Sequence, residues 1–166
     1  MSAQTPARAA DALFAQIPHA VTPAMLEEYG IETTSEQARL VTREVLSLNL
    51  YWIWSALAMA MTERNRDQVF GALQHQIAVE WDTELGLAGQ DAAAFLREAE
   101  ERRAFYQRVI EEGGAPLDVF TQAASLLEWG RAVRSEDRAR VLACLIDIIP
   151  VQEIGAVAEE LQIGES

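Results

Sequence analysis

The chain is poor in what most chemistry needs. It has one cysteine, Cys144, in 166 residues, which excludes an intrachain disulfide and any site built from several thiolates. Cys144 stands in the apolar run 141–146, where a small buried hydrophobe is expected rather than an electropositive, activated thiol. There are two histidines, His19 and His75. The residues three before them are Gln16 and Ala72, so neither completes the Glu-x-x-His pair of di-iron bundles, and no His-Glu-x-x-His occurs. No glycine-rich phosphate loop is present: Gly86 to Gly89 and Gly113-Gly114 read as helix stops, without the lysine that a P-loop requires. No metal and no cofactor is therefore expected. The helix of His75 buries Val69, Leu73, Ile77 and Trp81, which turns His75 itself to solvent and away from any haem-ligand role.

Positive charge is also scarce. Thirteen basic residues stand against 26 acidic ones, a formal net charge of -13. A sequence-independent nucleic-acid interface needs a basic face, and an anionic membrane surface would repel this chain, so neither is expected as a partner. The charge leaves solubility or an acidic face for a basic partner. No apolar core flanked by positive charge opens the chain, so the expected compartment is the cytoplasm. Residues 45–61 are apolar except for Ser47, Asn49 and Ser55, at the short limit for a bilayer span. The amphipathic segments around them would then have nothing to pack on, so a central buried helix is expected instead.

Half of the residues are hydrophobic, and alanine, leucine, glutamate and arginine, all good helix formers, are abundant. No segment alternates as a strand does. The punctuation reads as a series of helices. A short one covers residues 6–16, before Pro18. Thr22-Pro23 opens a second, closed by Gly30. Thr34 with Gln37 forms a capping box for a long helix to about residue 62. Asn65 opens the next, which runs towards Gly86 to Gly89. Asp91 caps one that ends at Gly113-Gly114, Pro116 starts one to about residue 133, and Ser135 starts one that reaches Pro150. A last amphipathic segment carries Val151, Ile154, Ala158 and Leu161. The expected fold is all-α: a compact bundle of six to eight helices around the helix at about 34–62, one domain over 1–166, with 1–20 as a loosely packed arm. In the central helix, Leu46, Leu50, Ile53 and Leu57 share one side and Val45, Leu48, Trp52 and Met59 another, and both sides are expected to be buried.

Two groups of residues are candidates for function. Helical spacing places Glu80 and Glu84 at the edge of the stripe of Val69, Leu73 and Ile77. Arg102 falls near the middle of the stripe of Phe95, Ala99, Tyr106 and Ile110. An arginine there must snorkel or find an acid, and antiparallel pairing brings Glu80 or Glu84 towards it. Glu80, Glu84, Arg102 and Tyr106 form either an interhelical salt bridge or a ligand pocket between helices 65–85 and 91–112. The second group is aromatic. Tyr51, Trp52 and Trp54 cannot all point one way, and Trp129 lies well off the stripe of Leu117, Phe120, Ala124 and Leu127. Tyr51, Trp54 and Trp129 are thus candidates for an exposed apolar contact face. The expected function is a non-catalytic interaction module, homodimeric through such a face. The alternatives are a small-molecule-binding protein with the pocket described, or an acidic inhibitor, immunity or chaperone-like protein that engages a basic partner.

Overall fold

The computed structural model of the chain describes residues 3–161 and 163. Its elements are α1 (Pro6–Phe14), α2 (Pro23–Glu27), α3 (Ser35–Ala60), α4 (Glu63–Val79), α5 (Ala92–Glu111), α6 (Pro116–Trp129), a 3-10 turn (Ser135–Asp137), α7 (Arg138–Ile148) and α8 (Val151–Glu160). The fold is an all-α bundle without strands among the described residues; one isolated bridge joins Gln4 to Ile163.

Local chemistry sets most helix ends. Thr5, Thr22, Thr34 and Asp91 each accept a hydrogen bond from a backbone N–H of the first turn, removing one of the orphan donors that every helix start carries. At Thr34 the box is complete, since its own N–H donates to Gln37 Oε1 at 2.9 Å. Gly30 and Gly113 sit at φ 78° and 95°, a conformation glycine adopts without steric penalty, and they end α2 and α5.

Helix α3 is the axis. Leu46, Leu50, Ile53 and Leu57 enter one apolar cluster with α1, α4 and α8. Val41, Val45, Leu48 and Tyr51 enter a second one with α2, α6 and α7. The expected two-sided burial holds except at two positions: Met59 is 92% exposed, and Trp52 is only partly buried, packed against both clusters. Leu117 also stands exposed rather than in the core stripe of α6. The N-terminal segment is packed rather than loose. Ala9, Ala10, Leu13 and Phe14 are buried in the cluster that holds Val69, Leu73 and Ile77 of α4, and two adjacent alanines let α1 lie close.

Helix α4 differs most from expectation. Thr62, not Asn65, caps it, and the helix stops at Val79 rather than near Gly86. Beyond Val79 the chain coils so that Trp81, Leu85 and Leu87 all reach the core, with Trp81 Nε1 donating to the Gln90 carbonyl at 2.9 Å. A straight helix could not bury those three together. Ser135–Glu160 is, among the described residues, the run long and apolar enough on average to cross a bilayer (mean hydropathy 1.9). It is broken at Pro150, which has no N–H to continue a helix, and Ile149 before it is extended, as the residue before proline prefers. The resulting helices of 11 and 10 residues each reach only about half of a ~30 Å hydrocarbon layer.

Candidate functional site

Arg102 does pair with a buried acid, but not with the acids expected. Its Nε donates to Glu44 Oε2 of α3 at 3.2 Å, and the hydroxyl of Tyr106, one turn on, donates to Glu44 Oε1. Glu44 is only 5% exposed. A second acid extends the group: Glu98 Oε1 lies 3.6 Å from Arg102 Nη2, and Glu98 Oε2 lies 2.7 Å from Arg43 Nη2. Arg43 also donates to Gln90 Oε1 at 3.2 Å and stands over the ring of Phe95. The result is a chain of alternating charges, Arg43–Glu98–Arg102–Glu44, closed by Tyr106 and strung between α3 and α5.

Glu80 and Glu84 take no part. They fall on the α4 stripe only if the helix continues past Val79, and it ends there. Glu80 is the C-cap residue and accepts from the Thr83 hydroxyl. Glu84 is exposed and lies 3.4 Å from His19 Nδ1. The acid that sequence reasoning missed carries its own signal. Glu44 falls on the α3 stripe between Val41, Val45 and Leu48, and a carboxylate on a buried stripe must find partners.

Each ionisable group answers to its surroundings. Burial raises the Glu44 carboxyl above the ordinary glutamate value, although the Arg102 charge and the Tyr106 hydrogen bond oppose the rise. Burial and the adjacent Glu44 hold Tyr106 well above the usual phenol value, so it remains a donor. Burial pushes the Cys144 thiol up to about 11, the opposite of what a nucleophilic cysteine needs.

Both oxygens of Glu44 are engaged, so the group is satisfied from within. The hollow beside it, lined by Leu40, Arg43, Glu98, Arg102, Leu126 and Gly130 among others, has a volume of about 160 Å³. Ligand pockets run from about 300 to 1,000 Å³. The space expected between α4 and α5 is smaller still, about 10 Å³ between Phe70, Leu96 and Arg103, barely one water. Among the described residues, no three His, Cys, Asp or Glu side chains converge as metal ligands would.

Comparison with protein-family models, with curated proteins and with solved structures yields no match to this chain.

The aromatic candidates separate. Tyr51 is buried, edge-on to Trp52 and Tyr106, and cannot serve as an exposed contact. Trp54 is half-covered: the guanidinium carbons of Arg66 and Arg103 stand 4.2 and 3.9 Å from the centre of its ring, and Phe70 meets it edge-on. Those arginines make it part of a cation–π stack and not a bare patch. Trp129 is 73% exposed, at the last residue of α6.

Proposed function

We propose that this protein is a non-catalytic helical interaction module that pairs with a second copy of itself through the face carrying Trp129. The exposure of Trp129 is the observation that carries this reading. An indole left in water forgoes a large burial gain, and tryptophan is among the commonest anchors of protein interfaces. Its surroundings fit. Leu126, one turn earlier on α6, lies on the same side. Leu126 and the exposed Leu40 of α3 rim the small hollow beside Glu44. Charges of both signs flank this face: Glu36, Arg39 and Arg131 are exposed, and Arg131 is tied to α3 through its carbonyl, which accepts from Gln37 Nε2 at 3.2 Å. A two-fold interface sets a patch against its own copy, and a patch of mixed sign can place unlike charges opposite each other where a single-sign patch cannot.

Sedimentation of the wild type and of Trp129→Glu tests the reading. The wild type is expected at twice the chain mass at tens of micromolar, a range typical of modest homodimers (roughly -6 to -7 kcal/mol). Trp129→Glu is expected at the chain mass with an unchanged helical circular dichroism spectrum, because the indole packs on little within the fold. A monomeric wild type, or a Trp129→Glu variant that stays dimeric, would overturn it.

A further inference from the structure

On another face, two hollows of about 480 and 320 Å³ adjoin, sharing Trp52 and Val151 as common walls. One wall is the outer side of α3, through Trp52, Ala56 and Met59; the other is α8, through Val151, Gly155 and Glu159. Those three α8 residues recur every four positions, so the groove follows the helix for about 12 Å on this wall alone. Beyond Val151 it continues past Phe120 and Ile146 to Pro116 at the start of α6. Met59 and Ile146 stand exposed along it.

Two features go beyond a seam between packed helices. The first is charge. The ionisable groups lining the groove are Asp147, Glu153 and Glu159, all exposed, and no basic side chain lines either hollow. Among the described residues no ion pair neutralises these three acids; Asp147 only accepts from the Tyr29 hydroxyl at 3.1 Å. The chain contains no lysine at all, so no long ammonium side chain folds over the groove. The second is Gly155. A glycine inside a helix costs about 0.5–1 kcal/mol relative to alanine, yet a Cβ at this position would meet nothing within 4 Å. No packing inside the fold calls for the missing side chain, and its absence keeps the groove deep.

We infer that this groove receives a basic amphipathic helix of another protein, its apolar face on Trp52, Val151 and Ile146 and its lysine or arginine residues against Asp147, Glu153 and Glu159. A helix suits better than an extended segment. The walls are helices, so no sheet edge offers backbone partners, whereas a helix satisfies its own backbone groups. Like charge on both sides disfavours a second copy of this chain, and the same acids repel an anionic membrane. The inference is separate from self-association through Trp129, which uses the other end of α6.

Calorimetric titration with an 18-residue peptide of leucine and lysine at helical spacing tests it, beside a counterpart with glutamate in place of lysine. Gly155→Trp fills the groove from a position with open space, and the double variant Glu153→Arg/Glu159→Arg reverses its rim. The leucine–lysine peptide is expected to bind the wild type at one site in the micromolar range and to weaken as salt is raised. It should bind at least about tenfold more weakly to both groove variants and equally well to Trp129→Glu. The glutamate peptide should not bind. The inference falls if the leucine–lysine peptide does not bind, or if it binds Gly155→Trp and the rim variant as tightly as the wild type, which would mean attraction by net charge alone. It also falls if Gly155→Trp alters the sedimenting mass, since the groove would then be a self-contact.

Discussion

Two buried carboxylates, Glu44 and Asp137, are shifted in opposite directions. Burial dominates at Glu44 and raises its pKa. At Asp137 burial also acts upwards, but hydrogen bonds from Arg140 at 2.7 Å and Arg134 at 3.2 Å outweigh it and lower the value. The signs of the linkage follow. Asp137 binds its proton less tightly folded than unfolded, so its stabilisation is present above the ordinary value of 3.8 and is lost as the pH falls through the depressed one. Glu44 binds its proton more tightly when folded, so its ionisation opposes folding as the pH rises above the ordinary value of 4.5. Arg102→Met removes the main counter-charge from a buried acid and should cost about 3–5 kcal/mol at neutral pH. The loss should shrink at about pH 5, where more Glu44 is protonated. Adding Glu44→Gln should recover most of it, because the amide oxygen can still accept from Tyr106 and carries no charge. Urea unfolding of both single variants and the double variant at the two pH values measures the coupling. An Arg102→Met penalty that is the same at both pH values, without recovery in the double variant, would show that Arg102 acts only through packing.

At the scale of elements, α3 has two apolar faces that enter two clusters, and its ends differ. The middle is enclosed; the last turn is not. Ile53→Ala, at a fully buried position, should cost about 2–5 kcal/mol. Met59→Ala, less than two turns along the same helix but exposed, should stay within about 0.5 kcal/mol. Comparable losses at both positions in chemical denaturation would mean that the end of α3 is covered. Gly155→Ala in α8 should stabilise the fold by about 0.5–1 kcal/mol, since the helix gains a better former and the new methyl meets nothing. A lower melting temperature would show that the position is constrained from within. Helix α4 teaches a different lesson. Its periodicity is clear up to Val79, and the next three apolar residues, Trp81, Leu85 and Leu87, can reach the core only once the helix has stopped.

For the molecule as a whole, the two open faces differ in sign pattern, and the two proposed partners differ with it. The Trp129 face has mixed charge and suits its own copy. The groove along α3 and α8 has acids only and suits a basic helix. A net charge of -13 slows self-encounter and speeds encounter with a basic partner. Raising the salt concentration should therefore strengthen or leave unchanged the proposed self-association, read by sedimentation, while it weakens peptide binding; a shift of both in the same direction would remove the distinction between the faces.

Whatever depends on near neighbours along the chain is legible without the fold. The all-α class, the caps at Thr22, Thr34 and Asp91, the stops at Gly30 and Gly113, the burial of Cys144 and the exposure of His75 all follow from spacing and local hydrogen bonding, which act within one or two turns, whereas Trp129 off its stripe could be bare or covered until the neighbouring helices were placed. The sequence also required a partner for Arg102, since a guanidinium on a buried stripe needs one. Which acid answers was a tertiary matter. Glu44 lies 58 residues from Arg102, and its candidacy depends on α3 lying against α5, which no local period encodes. The same holds for Tyr51, edge-on to Tyr106 of another helix, and for Met59, which lines an open hollow between α3 and α8. The groove is of this kind too. Trp52, Ile146 and Gly155 become one surface only when three helices are laid side by side.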